Sequence, residues 1–275
     1  MSNFWQRAIT GVLLVAVLIT ALIWSYATVA WLFFLLAVLG SFEFYKLTFQ
    51  KLTIVCWIGV LMNGYIALIP FLHYEYQWNL VLMLLPVLPF ISFSFIYELF
   101  ALKKKPFQRV AYSIFPIFYV GMPFATLYTL GWAPEYNFTY NSSITLAFFT
   151  LIWSNDTFGY LVGKKLGKTK LFEKISPKKT WEGTLGSVAG TLTTGVVWSF
   201  YEDSIPLIHW IGMALIVAVF GSIGDLVQSS LKRSLKIKDS GNILPGHGGI
   251  LDRFDAVIFA APLVAMYLFL VYNAF

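Results

Sequence analysis

Charged residues and cysteine are both scarce in this chain. Asp, Glu, Lys and Arg make up 12% of its 275 residues, whereas soluble domains carry about 25%. A water-soluble fold is therefore excluded, and a hydrophobic content of 59% excludes intrinsic disorder. Cys56 is the single cysteine, so the chain has no intramolecular disulfide, no cysteine-based zinc site and no iron–sulfur cluster.

The apolar residues fall into nine stretches, each close to the length of about 20 residues that a membrane span requires. The stretches are Ala8–Trp24, Thr28–Phe42, Leu52–Leu72, Trp78–Phe95, Val110–Leu130, Ile144–Gly163, Gly183–Phe200, Ile205–Leu226 and Val257–Tyr272. They are apolar on both faces, unlike barrel strands, and helices satisfy their own backbone in lipid. The first stretch has no small-residue cleavage site after it and is interpreted as a retained span. We predict an all-α polytopic integral membrane protein with about nine transmembrane helices.

The basic residues orient these spans. All 19 Lys and Arg residues fall on one side of the nine-span topology. The loops on the other side contain the acidic residues Glu75, Glu135, Glu202 and Asp203 but no Lys or Arg. The positive-inside rule then places the N-terminus in the cytoplasm and the C-terminus outside. We expect a multi-pass protein of the inner (cytoplasmic) membrane, with its chemistry facing the cytoplasm.

The chain divides into two halves by loop length. Two long inner loops, Lys164–Glu182 and Ser229–Ala256, hold 12 of the 19 basic residues. We therefore predict that residues 1–140 form a transmembrane scaffold of five spans. Residues 141–275 are predicted to form a catalytic half with four spans.

Polar residues late in the sixth stretch suggest a functional site. Asn155 and Asp156 follow a long apolar run, and an ionisable residue at membrane depth is costly and is a functional hypothesis by default. The alternative is that they lie at the interface and cap or pair locally. A functional role is the preferred interpretation.

The end of the eighth stretch carries three polar residues at helical spacing. Asp225, Ser229 and Lys232 lie on one face of a helix, an arrangement that suits a metal-bound phosphate. The alternative is a helix-end ion pair.

The loop that follows is rich in glycine and aspartate. Gly248 and Gly249 permit close backbone approach to a ligand. Asp252 and Asp255 share a face if the last helix has begun by Asp252. Carboxylates suit Mg²⁺, although a basic juxtamembrane loop with balancing acids would attract anionic lipid without catalysis.

Other features support simpler interpretations. Lys178 and Lys179 belong to a basic loop that could bind phosphates through its lysines, but positive-inside anchoring explains this loop equally well. It is not a P-loop, because its Gly167-Lys168-Thr169 sequence lacks the strand-to-helix context of that motif. The Lys103–Lys105 run is interpreted as a topology anchor. The spacing of Gly186 and Gly190 predicts close helix packing.

The stretch from Ser229 to Asp255 resembles the signature of the phosphatidate cytidylyltransferase, or CDP-diacylglycerol synthase, family. The signature reads S-x-hydrophobic-K-R, then K-D-x-small, then a P-x-H-G-G-hydrophobic-x-D-R-hydrophobic-D ending. Every fixed position is met across these 27 residues. Asn155-Asp156-Thr157 and Ser176–Gly183 also resemble family blocks, so the resemblance covers about the last half of the chain.

This resemblance implies that CTP reacts with phosphatidic acid to give CDP-diacylglycerol and pyrophosphate, with Mg²⁺ as the cofactor and a second cation as a further option. Asp225, Asp252 and Asp255 would be the metal ligands. The catalytic set adds phosphate-contacting residues and one histidine of undecided role: Lys232, Arg233, Arg253 and His247. The substrate-binding set comprises Asn155, Asp156, Lys178, Lys179, Ser229, Lys238, Asp239, Gly248 and Gly249.

Two other functions stay open from the residues alone. One is a related CTP-dependent enzyme that uses another lipid phosphate or alcohol. The other is a membrane transporter, although transporters often show repeats or broken helices in both halves and this chain has no internal repeat. The expected partners are the two substrates and the lipid bilayer, with no nucleic acid, and we expect a homo-oligomer such as a dimer.

Overall fold

The computed structural model describes residues 3–49, 51–132, 140–246 and 248–273. The protein is 78% helical. It contains two compact units, the first formed by Met1–Thr129 and Asp239–Arg253 and the second by Leu130–Lys238 and Phe254–Phe275. The first unit therefore takes its last segment from within the predicted catalytic half; the predicted division of scaffold and catalytic roles stays a prediction.

The first unit contains seven α-helices in its described residues. They are α1 (Asn3–Trp24), α2 (Tyr26–Thr48), α3 (Ile54–Tyr76), α4 (Leu80–Leu84), α5 (Val87–Ala101), α6 (Pro106–Pro116) and α7 (Met122–Thr129), and a π-helical segment, Ile117–Gly121, joins α6 to α7. The apolar runs of the sequence account for these helices, because backbone groups in a lipid environment must pair within the segment.

Buried polar contacts tie the helices of the first unit together. The Asn63 side chain on α3 accepts a hydrogen bond from the Gly121 N–H at 3.0 Å, at the end of the π-helical segment. The Tyr45 hydroxyl on α2 donates to the Ser113 carbonyl at 2.6 Å. Each contact satisfies a polar group that would be costly to leave unpaired inside the protein.

The second unit is also mainly helical. Its elements are a 3₁₀ turn (Leu130–Trp132), α8 (Ser142–Leu166), β1 (Lys170–Phe172), β2 (Ser176–Thr180), α9 (Trp181–Trp198), α10 (Leu207–Ile216), a π-helical segment (Val217–Gly221), α11 (Ser222–Ser234) and α12 (Asp255–Asn273). The π-helical segment makes α10 and α11 one continuous run.

Glycine brings α8 and α9 close together. A Cβ atom built on Gly186 would lie 2.5 Å from the Val162 Cβ, and one built on Gly190 would lie 2.3 Å from the Phe158 ring. A larger residue at either position could not fit without displacing its neighbour. The close packing predicted from the spacing of Gly186 and Gly190 is confirmed.

A short β-hairpin between α8 and α9 departs from the all-α prediction. β1 and β2 pair antiparallel, with Lys170 opposite Thr180 and Phe172 opposite Ser176. A half-buried strand usually shows alternating apolar and polar residues. This segment carries several lysines and no such alternation, so the sequence did not predict a strand here. The fold is therefore nearly all-α.

The helices are those of a multi-pass membrane protein. Each of the nine predicted apolar stretches lies mainly on helix within the described residues. Among the residues that the structure describes, five helical runs are long and apolar enough to cross a membrane: Tyr26–Thr48, Ile54–Tyr76, Leu80–Ala101, Pro106–Trp132 and Leu207–Ser234. Ala8–Trp24 and Asp255–Val271 are shorter apolar helices, so the predicted number of nine spans stays a prediction.

Candidate active site

A cavity of about 610 Å³ lies in the second unit, beside the glycine contact of α8 with α9. Such a volume falls in the range of small-molecule sites. Its lining contains four lysines and two aspartates: Lys164, Lys170, Lys178, Lys179, Asp156 and Asp225. The excess of positive charge favours an anionic ligand.

Lys179 and Asp225, which both line this cavity, form an ion pair. The Lys179 Nζ atom lies 2.8 Å from the Asp225 Oδ2 atom, and it also donates to the Ser222 carbonyl at 3.0 Å. The two contacts hold the end of β2 against the start of α11. The side chains remain 26% and 40% exposed, respectively, so both are accessible to a ligand in the cavity.

The hairpin explains why several lysines line one cavity. Lys170 on β1 and the pair Lys178 and Lys179 on β2 are brought together by strand pairing. The Lys170 Nζ atom also donates to the Pro177 carbonyl at 2.7 Å. Strand pairing therefore holds the lysines of this loop next to one another at the cavity.

Glu182, just before the seventh predicted span, binds the backbone that leads into the hairpin. Its carboxylate accepts hydrogen bonds from the N–H of Lys168 at 3.1 Å and from that of Thr169 at 3.1 and 3.2 Å. Backbone N–H donors, its own first and that of Lys168 next, lower the pKa of Glu182 to about 2. The carboxylate therefore stays ionised, and these contacts stay in place, throughout the physiological pH range.

Asn155 and Asp156 lie at this cavity, on α8. The Asn155 side chain is 2% exposed, and its Oδ1 atom has no hydrogen-bond partner among the described residues. The Ser187 hydroxyl donates to the Asn155 carbonyl at 2.7 Å and so fixes the backbone there. A buried acceptor without a partner is costly, so the Asn155 side chain is an unusual feature of this cavity wall.

Asp225, Ser229 and Lys232 all lie on α11, so they share one helical face as predicted. The Ser229 hydroxyl donates to the Asp225 Oδ1 atom at 3.5 Å. Asp255, at the start of α12, accepts from the Ala256 N–H at 2.7 Å and lies within electrostatic range of Asp225, Asp156 and Lys232. The second unit thus gathers three carboxylates and a lysine from α8, α11 and α12.

Asp252 has a different local setting from Asp255. The condition for a shared helical face is not met, because α12 begins at Asp255 and Asp252 lies in the preceding turn. Asp252 belongs to the first unit, where its Oδ2 atom accepts from the N–H groups of Ser240 at 2.7 Å and Gly249 at 3.1 Å. That oxygen closes the segment Asp239–Arg253, which we call the signature loop.

Gly248 and Gly249 have distinct roles in this loop. Gly248 has a φ of +89°, which side chains rarely adopt, and a Cβ atom there would lie 3.0 Å from the Asp252 Oδ2 atom. Gly249 does not have a positive φ, but a Cβ atom there would lie 2.4 Å from the Ser240 Oγ atom and 2.5 Å from the Glu43 Oε2 atom. The need for glycine is therefore conformational at one position and steric at the next.

The remaining predicted site residues are exposed, except for one that lies outside the residues that the structure describes. Arg233, Lys238, Asp239 and Arg253 are exposed, and the Arg233 Nη1 atom donates to the Ile237 carbonyl at 3.5 Å. His247 lies outside the described residues, so its undecided role stays open. Lys238 belongs to the second unit and Asp239 to the first.

Several cavity residues were not singled out from the sequence. Tyr160, Lys164, Lys170 and Thr180 all line the cavity, and the Lys164 Nζ atom lies 5.7 Å from the centre of the Tyr160 ring. Positive-inside anchoring explained the lysines equally well, so only the strand pairing distinguishes them. Helical spacing from Asp156 would have indicated Tyr160, four residues on.

The sequence model of the Cytidylyltransferase family matches residues 5–271. The chain belongs to this family. Its helices, its cavity and its signature loop are therefore those of a cytidylyltransferase-family protein, and the resemblance first noted in the last half of the chain extends over nearly all of it.

Curated relatives match over comparable lengths. The chain is 32% identical over 263 residues to the phosphatidate cytidylyltransferase of Bacillus subtilis, covering 95% of this chain and 96% of the relative. It is also 32% identical over 260 residues to that of Staphylococcus haemolyticus, covering 94% and 96%. The protein of the same name from Staphylococcus saprophyticus is 39% identical over 179 residues, covering 63% of this chain and 66% of the relative.

Proposed function

We propose that this protein transfers the cytidylyl group of CTP to phosphatidic acid, giving CDP-diacylglycerol and pyrophosphate. The observation that carries the proposal is membership of the Cytidylyltransferase family over residues 5–271, with two relatives of this activity matched along almost their whole length. The cavity supports it, since four lysines at its wall suit phosphate groups.

The reaction needs no nucleophile from the protein. An oxygen of the phosphatidic acid phosphate attacks the α-phosphorus of CTP and forms the new P–O bond. The bond from that phosphorus to the α,β-bridging oxygen breaks, and pyrophosphate leaves with its electron pair. Catalysis of phosphoryl transfer is mostly positioning and electrostatic stabilisation, so the task of this chain is to bring two strongly anionic reactants together.

The residues of the cavity suit that task. Lys164, Lys170, Lys178 and Lys179 would offset phosphate charge, and Asp225 holds Lys179 at a defined position. Asn155 and Asp156 would line the same pocket, with Lys232 and Ser229 on the adjoining helix. The resemblance also implies substrate contacts at a further set of residues, which stay predictions: Arg233, Lys238, Arg253, Asp239, Gly248 and Gly249.

The donor set of the second unit suits magnesium. No group of three or more His, Cys, Asp or Glu side chains within the described ranges could hold an ion by itself. Mg²⁺, however, usually takes only one or two carboxylates together with substrate phosphates. Asp225 and Asp255 would hold it, while Asp252 stays a ligand implied by the resemblance, as does a second cation. A bound Mg²⁺ would offset charge on the transferring phosphoryl group.

The membrane side of the site is part of the proposal. Because all 19 basic residues share one side of the nine-span topology, we place the lysine-lined cavity and the signature loop at the cytoplasmic face of the inner membrane. A water-soluble nucleotide and a lipid head group can meet there. A homo-oligomer stays an expectation.

The deciding experiment uses the protein purified in detergent. Labelled CTP, phosphatidic acid and Mg²⁺ should yield a lipid-extractable labelled product and one pyrophosphate for each label transferred. Diacylglycerol in place of phosphatidic acid is the acceptor control. Label transferred only to that alcohol would identify the related CTP-dependent enzyme instead. The absence of any covalent product would contradict enzymatic function and favour transport.

A further inference from the structure

Glu43 is a carboxylate buried in the interior of the first unit. Its side chain lies on α2, 2% exposed, in the membrane-spanning run Tyr26–Thr48. The Glu43 Oε1 atom has no hydrogen-bond partner among the described residues. Burial of a carboxylate with so little compensation is costly, and an ionisable residue at such depth is a functional hypothesis by default.

The Glu43 carboxylate contacts the signature loop. Its Oε2 atom accepts a hydrogen bond from the Leu251 N–H at 3.0 Å. A Cβ atom built on Gly241 would lie 2.5 Å from the Oε1 atom, and one built on Gly249 would lie 2.5 Å from the Oε2 atom. The backbone of the loop therefore closes around this carboxylate at three positions.

Two carboxylates hold this loop at neighbouring positions. Asp252 accepts from the N–H groups of Ser240 and Gly249, and Glu43 accepts from that of Leu251. Gly249 touches both, because its N–H donates to Asp252 while its Cα faces Glu43. Asp252 is part of the loop that it closes, whereas Glu43 comes from a helix about 200 residues earlier (208 residues from Leu251) and so fixes the loop to the body of the unit.

We infer that Glu43 is a positioning residue that fixes the backbone of the signature loop for the cytidylyl transfer. The inference rests on the proposed function, since the loop carries Asp252 and Arg253 of the family signature. Glu43 itself accepts from the backbone N–H of Leu251 and lies against Gly249 of the predicted substrate-binding set. Its effect on the reaction therefore passes through the loop.

The first test measures local exchange of backbone amides with deuterium in the detergent-solubilised protein. Glu43→Ala should make the amides of residues 239–253 exchange about tenfold faster, because a charge-assisted hydrogen bond that orders the loop is lost. Glu43→Gln keeps an acceptor oxygen and should stay within about threefold of the original protein. Unchanged exchange in Glu43→Ala would overturn the inference, and equal loosening in both variants would overturn the assignment to hydrogen-bond acceptance.

A matched control separates positioning from general stability. Asn63 is also fully buried in the first unit and also accepts a backbone hydrogen bond, but its partner is Gly121 and not the loop. Asn63→Ala should leave exchange of residues 239–253 unchanged even if the unit becomes less stable. Loosening of the loop by Asn63→Ala to the same degree would show that Glu43 has only a structural role.

A pair of variants keeps the inference testable if Glu43→Ala does not fold. Gly249→Ala should reduce kcat at least tenfold, because its Cβ would overlap both the Ser240 hydroxyl and the Glu43 carboxylate. Glu43→Asp withdraws that carboxylate by one methylene and should restore part of the kcat lost in Gly249→Ala. Strictly additive losses in the double variant would contradict direct contact. If the original protein itself shows no transfer, the proposed function fails, whereas the exchange measurement still decides the role of Glu43.

Discussion

The ion pair of Lys179 with Asp225 joins two residues that are 46 positions apart and partly exposed. Partly exposed pairs add only about 0–1 kcal/mol to stability, so this pair contributes little to folding. Its consequence is positional: it fixes a lysine and a carboxylate at the wall of a cavity that suits phosphates. Substitutions at these residues should therefore affect activity more than stability.

Asp225→Asn tests this separation of activity from stability. We expect it to lower activity by at least about 100-fold at equal amounts of inserted protein, because loss of charge at a phosphoryl-transfer site usually removes several kcal/mol of stabilisation. Asp203→Asn, an exposed residue of the same unit, is the control and should have no effect. Activity of Asp225→Asn within about threefold of the original corresponds to only about 0.7 kcal/mol and would refute the assignment.

Arginine and lysine should not be interchangeable at Arg253. A guanidinium can hold two phosphate oxygens at fixed geometry, whereas an ammonium acts as a point charge. Arg253→Lys should cost about 2–4 kcal/mol of transition-state stabilisation, or roughly 30- to 1,000-fold in rate, by analogy with lost oxyanion donors. Replacement of Lys103–Lys105 together by Gln is the comparison and should leave turnover nearly unchanged once insertion is verified. Loss of activity in the Lys103–Lys105 variant together with retained activity in Arg253→Lys would show that the basic residues have been assigned incorrectly.

Individual site residues differed in how far the sequence could indicate them. Asn155, Asp156 and Asp225 interrupt apolar runs, and the structure places all three at one cavity. Glu43 also interrupts an apolar run, and it lies just beyond the second predicted stretch, Thr28–Phe42, which is short unless it continues to Tyr45. Its partners lie in the signature loop, and no local pattern reveals a contact across about 200 positions.

At the scale of elements, the hairpin was the feature that sequence periodicity missed. β1 has three residues and β2 has five, too few for an alternating pattern, and lysine is disfavoured in strands. The two strands are specified instead by their surroundings, in which Glu182 holds the backbone of Lys168 and Thr169. The long helices could be predicted without such context, because their apolar runs are sufficient to indicate membrane-spanning helices.

The α8–α9 contact can be tested by overpacking it. Gly186→Ala should destabilise the protein by about 1–3 kcal/mol and reduce activity, because the new methyl group would overlap Val162 beside the cavity. Adding Val162→Ala removes the overlapping atoms and should recover most of both losses. Thermal unfolding in detergent and the transfer assay measure the two effects. A double variant no better than Gly186→Ala alone would mean that this contact does not set the helix spacing.

At the scale of the whole molecule, composition established the class but not the number of spans. The scarcity of charge predicts a helical membrane protein, and in the described part of the chain five helical runs are long and apolar enough to cross a membrane. α8 and α9 follow predicted stretches but are rich in small and polar residues, since they form the cavity. Functional residues thus weaken the hydropathy by which a span is recognised.

The orientation of the chain follows from its basic residues and can be measured directly. Single cysteines at Lys174, Asn242 and Asp203, all exposed positions, can be introduced after Cys56→Ala and treated with a membrane-impermeant thiol reagent. In intact cells Asp203→Cys should be labelled, whereas Lys174→Cys and Asn242→Cys should react only after lysis, because the positive-inside rule keeps lysine-rich loops in the cytoplasm. Retained transfer activity in each variant guards against misinsertion. Strong labelling at Lys174→Cys without lysis would reverse the topology, and it would place the lysine-lined cavity on the side of the membrane away from cytoplasmic CTP.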